Sequence, residues 1–126
     1  MKKEIILSRQ DYDLITSLIK NTPSDFSQYS LRKLSTELKS AKVVEGERLP
    51  ADVIRVNSEV DIFDEKEKKT MTFKLVPPSV SNLKENKLSI LAPLGSAIIG
   101  YRKGDLVEWE VPAGTKVFKI KEVRNS

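Results

Sequence analysis

The densest group of side chains able to do chemistry lies in Asp61-Ile62-Phe63-Asp64-Glu65-Lys66-Glu67, where four carboxylates fall within seven residues. Oxygen-rich loops of this kind hold hard cations such as Ca²⁺, but a calcium loop of the EF-hand type needs a mid-loop glycine and a closing glutamate. This run has neither. Lysines interrupt it and continue through Lys68 and Lys69, so it reads as a solvated hairpin tip. A second acid, Asp25 in Ser24-Asp25-Phe26-Ser27, sits in a turn, where a lone carboxylate is usually a turn or capping residue. One carboxylate is too few for a hard cation, which takes several oxygen ligands. The 126 residues include no cysteine and no histidine. That excludes a thiolate metal site, a disulfide, a cysteine nucleophile and a Ser-His-Asp triad, and it argues against an independent catalyst. No cofactor and no metal held by this chain alone are expected.

The remaining composition describes a small folded protein. Hydrophobic residues make up 39% and charged residues 32%, with 22 basic side chains against 18 acidic ones and a net charge of +4. A chain of this length builds a single core. The basic excess is mild and dispersed, which favours an anionic partner only weakly. No apolar run approaches the ~20 residues of a membrane helix, and the N-terminal Ile5-Ile6-Leu7 is far short of a signal-peptide core. A cytoplasmic monomer is the expectation. There is no internal repeat and no low-complexity segment.

The elements that position these residues follow from periodicity. Ser8 can cap a helix whose stripe is Leu14, Ile15, Leu18 and Ile19, with Asp11, Asp13, Thr16 and Lys20 mostly off it. Asn21-Thr22-Pro23-Ser24-Asp25 breaks that helix. A second helix starts between Ser27 and Ser30 and runs to about Val44, its seam of Leu31, Leu34, Leu38 and Ala41 facing the first. On it, Arg32 and Lys39 read as solvated surface. Residues 1–48 thus form a short antiparallel helical hairpin. From Asp52 to Phe63 the chain is β-branched, and Met71, Phe73 and Leu75 alternate with Thr72 and Lys74, which predicts a β-hairpin around the charged tip. Pro77-Pro78 ends it, and residues 79–85 form a polar bridge.

Leu88 to Asp105, LSILAPLGSAIIGYRKGD, is the most ordered stretch of the sequence. A strand at Leu88-Ser89-Ile90 meets Pro93 at a first helical position, Leu94, Ala97 and Ile98 share a helical face, and Gly100 suits a left-handed stop. Gly104-Asp105 turns the chain into the alternation Val107, Trp109, Val111, and a last strand spans Val117 to Val123. Trp109 reads as core. The order predicts an α+β architecture, with residues 49–126 forming an antiparallel sheet domain that carries one short helix.

Residues 84–123, KENKLSILAPLGSAIIGYRKGDLVEWEVPAGTKVFKIKEV, resemble the C-terminal domain of the GreA/GreB transcription-factor family. There a strand runs into a Pro-Ile/Leu-x-x-Ala-Leu/Ile-Ile/Leu-Gly helix and a Gly-Asp turn. Ala-Pro-Leu-Gly at 92–95 and Trp-Glu-Val-Pro at 109–112 look like the Rnk branch, named as regulators of nucleoside diphosphate kinase. Leu49-Pro50, Asp52-Val53 and Asn57-Ser58 fit the same branch, and the resemblance is weakest over residues 1–45.

The resemblance implies an FKBP-like fold for residues 49–126 and bacterial RNA polymerase as the partner, docked at the rim of its secondary channel, with nucleic acid contacted only indirectly in the elongation complex. It places docking on Pro93, Leu94, Gly95, Ser96, Gly100, Tyr101, Arg102 and Asp105, each of which has a packing or turn-shaping reading beside it. Tyr101, Arg102 and Lys103 are expected at an exposed loop. The hairpin tip is Ser24 and Asp25. In the family a long coiled coil with an acidic tip reaches the polymerase active site and helps hold a metal ion that promotes RNA cleavage. Short arms and one tip carboxylate imply binding without strong cleavage stimulation. A true cleavage factor is the alternative; a prolyl isomerase and a nucleic-acid-binding module are weaker ones, the first lacking an enzyme motif and the second a concentrated basic-aromatic face.

Overall fold

The computed structural model describes residues 4–21, 29–111 and 114–125. Strand β1 (Ile6–Ser8) runs into helix α1 (Arg9–Lys20). Ser8 is the N-cap: its Oγ accepts from the Asp11 N–H at 3.1 Å, which satisfies one of the unpaired donors of the first turn. Ile15 is buried and Leu14, Leu18 and Ile19 pack against the core at its margin, as the stripe predicts. Asp11 departs from the expectation. It is buried, and its Oδ2 accepts from the Val56 N–H at 3.0 Å, tying the start of α1 to the loop before the sheet.

Helix α2 (Tyr29–Lys39) stops well before Val44. Lys42–Val44 is instead strand β2, paired in parallel with β1 through Ile6↔Lys42, Leu7↔Val43 and Ser8↔Val44. Two consecutive β-branched residues and a waiting strand edge outweigh the helical spacing that had included Ala41. Nor does α2 lie chiefly on α1. It packs mainly against the short helix α3 (Pro93–Ile98), and its Leu34 and Leu38 enter the common core.

The main sheet has the order β5-β4-β3-β7-β6, built from β3 (Glu59–Asp64), β4 (Lys69–Val76), β5 (Lys87–Ser89), β6 (Leu106–Val111) and β7 (Gly114–Arg124). An all-antiparallel sheet was expected, but β5 pairs in parallel with β4, through Lys74↔Lys87 and Val76↔Ser89, so the sheet is mixed. Parallel neighbours need a crossover. Residues 77–86, the polar bridge of the sequence, supply it with two 3₁₀ turns, Pro78–Val80 and Leu83–Glu85. The run from Asp52 to Ser58 is loop rather than strand. It lies along residues 100–103 through the bridge between Val53 and Arg102 and the hydrogen bonds of the Ile54 N–H to the Tyr101 carbonyl and of the Gly100 N–H to the Ile54 carbonyl.

One hydrophobic cluster joins everything. Ile5, Leu7, Ile15 and Leu34 meet Ile62, Leu75, Ile98, Ile99, Phe118 and Ile120 within it, so the packing crosses residue 48 without a break. The hairpin tip with Ser24 and Asp25 lies outside the described residues, as does the side chain of Trp109, whose backbone pairs with Lys116 in β6 and β7.

Candidate functional site

The stretch from Pro93 to Asp105 is mostly interior. Pro93 occupies a first-turn position of α3 and is exposed, whereas Leu94, Gly95, Ser96, Gly100 and Tyr101 are buried. Gly95 has a steric reason: a Cβ there would stand 2.2 Å from the Ser89 carbonyl oxygen, so α3 can lie on the end of β5 only without a side chain. Gly100 adopts φ +84°, and its added Cβ would meet the Ile5 Cβ at 2.8 Å. The Ser96 hydroxyl donates back to the Ala92 carbonyl at 3.0 Å. These residues shape the segment.

Tyr101 was expected at an exposed loop and is only 3% exposed, because its ring completes the core above α2. Arg102 is half-buried, and its guanidinium forks onto Asp52, with Nη2 2.9 Å from Oδ1 and 3.2 Å from Oδ2. Asp105, also half-buried, accepts from the Arg102 N–H at 2.8 Å and closes the turn before β6. Of the eight docking candidates, Pro93, Arg102 and Asp105 therefore have accessible side chains, and two of those three have internal partners.

Beside Pro93 lies an apolar groove of about 490 Å³. Met71 and Phe73 of β4 form one wall, Leu88 of β5 and Leu94 of α3 the floor, and Leu83 of the crossover the rim. Leu83 is 70% exposed and neighbouring Val80 53%, an unusual pair of large hydrophobics on a short connection. Pro93 and Leu94 are the docking candidates that the structure brings into this groove.

The second feature is polar and buried. The Tyr101 hydroxyl donates to Glu37 Oε2 at 2.9 Å, while Glu37 Oε1 is buried with no hydrogen-bond partner. Lys33 holds its ammonium 5.0 Å from the Tyr101 ring centroid. Desolvation pushes the Glu37 carboxyl above its usual range, opposed by the Lys33 charge and the Tyr101 hydrogen bond. Asp11 is likewise raised by burial, against the Val56 N–H and the Arg55 charge. Asp64 is lowered, first by the Glu67 N–H and then by that of Lys66, with Lys116 adding its charge. The acidic run reads from sequence as a solvated hairpin tip, but Asp64 within it is buried and bonded by the backbone N–H groups of Lys66 and Glu67. Among the described residues no group of three or more acidic side chains is placed to hold a metal ion.

A family model described as transcription elongation factor GreA/GreB, C-terminal, matches residues 49–125. The chain belongs to the GreA/GreB family. A solved structure, a prokaryotic transcription elongation factor GreA/GreB from Nitrosomonas europaea, is 33% identical with a TM-score of 0.79, covering 98% of this chain and 100% of that one. The transcription elongation factor GreA of Acetivibrio thermocellus is 35% identical over 92 residues, which are 73% of this chain and 58% of that protein. The GreA of Rhodospirillum rubrum is 28% identical over 99 residues, 79% of this chain and 63% of its own length. This GreA/GreB chain spans about three fifths of the length of the curated relatives it matches. Among the described residues no helix is long and apolar enough to cross a membrane.

Sequence reasoning missed Glu37 and Leu83 for different reasons. Glu37 follows Leu34 by three residues and precedes Leu38, so the same helical spacing that finds the apolar seam includes it. Its charge hid it. Leu83 stands alone in a polar bridge, where no periodicity exists to mark it.

Proposed function

We propose that this chain is a non-catalytic transcription regulator that binds bacterial RNA polymerase at the entrance of the secondary channel and competes there with full-length Gre factors, in the manner implied by its likeness to the Rnk branch. The observation that carries this reading is the base of the helical segment. β1 and β2 pair with one another, so the helical segment is confined between Ser8 and Lys42, and it lies against the body through Ile15, Leu34 and Leu38. The helices between the two strands have 12 and 11 residues. At 1.5 Å per residue each rises roughly 18 Å, a stub beside the long coiled coil of the family. A single tip carboxylate, Asp25, adds little to a metal site that needs several oxygens. We assign docking to the sheet domain of residues 49–126, FKBP-like in this reading, and to its groove beside Pro93 and Leu94, where an apolar partner segment would cover Phe73 and Leu83. The work is done in the cytoplasm, where the polymerase is.

The test combines two readouts on one preparation: binding to core RNA polymerase, and RNA cleavage by a backtracked complex with and without the protein. Binding that displaces a GreA-type factor and adds no cleavage is the expected result. Stimulated cleavage that is lost in Asp25→Asn would overturn the reach argument and establish a true cleavage factor. Absence of binding would overturn the proposal.

A further inference from the structure

The face of the sheet opposite the core divides into two halves according to how its charges are paired. In one half, Arg124 forks between Glu59 and Asp61, at 2.7 Å from each, and Lys103 pairs with Glu122 at 3.3 Å. That half is neutralised. In the other, Phe63 stands half-buried on the central strand with Lys119 of β7 and Thr70 of β4 as its cross-strand neighbours. Lys121 and Lys68 hold their ammonium groups 5.1 and 6.0 Å from the Phe63 ring centroid. Lys121 owes its place to a bulge, because the pairing steps from Asp61↔Glu122 to Ile62↔Ile120 and leaves it as the extra residue. Beyond Lys119 on the same register lies Leu106, 61% exposed. Lys68, Lys119 and Lys121 make no ion pair among the described residues. The nearby carboxylates are Asp61, Glu108 on the edge strand, and Glu65 and Glu67 in the hairpin turn. Asp61 lies two residues before Phe63 on the same face, where Arg124 and Thr72 bond it and its charge also acts on Lys121.

We propose that this face binds single-stranded nucleic acid, with a base stacked on Phe63 and the flanking phosphates met by Lys68, Lys119 and Lys121. An aromatic ring on an open sheet with unpaired cations around it matches both parts of such a strand, its π-faces and its regularly spaced negative charges. A duplex offers only the second, since its base faces are already stacked. The lysines now over the ring are flexible chains, and an exposed lysine–ring contact is weaker than a base on an aromatic face. Their displacement toward phosphate therefore favours binding. The surface is separate from the groove: Met71 and Phe73 point to the core side of β4, whereas Thr70 and Thr72 share the outer face with Phe63. It stands whether or not the groove docks polymerase.

The experiment is fluorescence anisotropy of the full chain with labelled single-stranded RNA, single-stranded DNA and an RNA duplex, between about 50 and 200 mM salt. Three phosphate contacts at ~0.7 each give a log–log salt slope of roughly −2. The double variant Lys119→Gln, Lys121→Gln is expected to reduce the slope to roughly −0.7, and Phe63→Leu to weaken binding roughly tenfold at unchanged slope. Circular dichroism confirms that each variant is folded; the lysine variants change only exposed side chains and keep the proposal testable if Phe63→Leu unfolds. Binding of either single strand above the duplex supports the proposal, and the tighter of the two identifies the natural ligand. Absence of binding at low salt, equal affinity for the duplex, or a folded Phe63→Leu that binds as the parent does would overturn it.

Discussion

Tyr101 and Glu37, 64 residues apart in sequence, meet through a buried hydrogen bond of 2.9 Å that joins the second helix to the loop following α3. The second oxygen of the carboxylate has no hydrogen-bond partner, so the joint leaves one buried acceptor unsatisfied. Such a group carries its full desolvation cost. The stability of the helix-to-sheet junction therefore depends on the protonation of Glu37.

The sign of that dependence follows from the raised Glu37 pKa. A carboxyl whose folded pKa lies above its unfolded value contributes stability that is fully present below the unfolded pKa, about 4.5, and is lost as pH rises through the folded pKa. Glu37→Gln removes this contribution and keeps the shape. In urea titrations from about pH 4.5 upward, the parent is expected to lose stability relative to Glu37→Gln as pH rises. Asp11 shifts in the same direction and Asp61 and Asp64 in the other, but all three are common to both proteins and cancel in the difference. Tyr101→Phe, which leaves Glu37 with neither oxygen bonded, is expected to cost about 1–3 kcal/mol near neutral pH.

The two buried glycines predict a graded series. At Gly95 an added methyl collides with backbone at 2.2 Å, and backbone cannot yield as a side chain can, so Gly95→Ala is expected to cost ~3 kcal/mol or more and to lift α3 off β5. Gly100→Ala combines a left-handed φ with a 2.8 Å contact to Ile5, a side chain able to shift, and is expected to cost about 2 kcal/mol. Gly104 has a similar φ of +92° with nothing near it, which makes Gly104→Ala the control at about 1 kcal/mol. Urea midpoints in this order would confirm that shape, not partner contact, explains the glycines of the motif.

For the groove, the informative residue is Leu83. It is 70% exposed, so Leu83→Ser leaves the core untouched and the melting temperature nearly unchanged. If polymerase covers it, affinity for core polymerase free of nucleic acid falls roughly tenfold, the equivalent of burying one large aliphatic side chain. Leu106→Ser, 61% exposed on a different strand, is expected to leave that affinity alone. Equal effects from both would place docking elsewhere.

What the sequence made legible was whatever repeats locally. The cap at Ser8, the Pro93 start of α3, the left-handed stop at Gly100 and the hairpin of β3 and β4 each depend on residues a few positions apart. What it hid depends on partners far along the chain. Val43 and Val44 became a strand because β1 offered an edge, and β5 turned parallel because the 77–86 crossover brought it back along β4. Tyr101 is buried because α2 leans on α3, a packing choice that no window of sequence contains. At the site, the motif picked out Pro93 and Leu94 only through the family's docking segment. The groove that they line with Met71 and Phe73 joins α3 to a strand some twenty residues earlier, and the sequence showed that strand only as an alternating face.

Burial, not distance along the chain, separates the Tyr101–Glu37 joint from the Arg124 fork, since both join residues more than 60 positions apart. Arg124 makes short hydrogen bonds to Glu59 and Asp61, and these lower the Asp61 pKa and raise that of Arg124. All three groups face water, where ion pairs are screened by salt and offset by the ordering of long side chains. Asp61, with its pKa depressed, contributes stability above its unfolded pKa and loses it as pH falls through the folded value. Arg124→Gln is therefore expected to shift the melting temperature far less than Tyr101→Phe, with the small difference vanishing in high salt and at acid pH. A shift as large as that of Tyr101→Phe would mean that the fork, not the buried joint, holds the edge of β3 to β7, and the ranking of the two contacts by burial would be wrong.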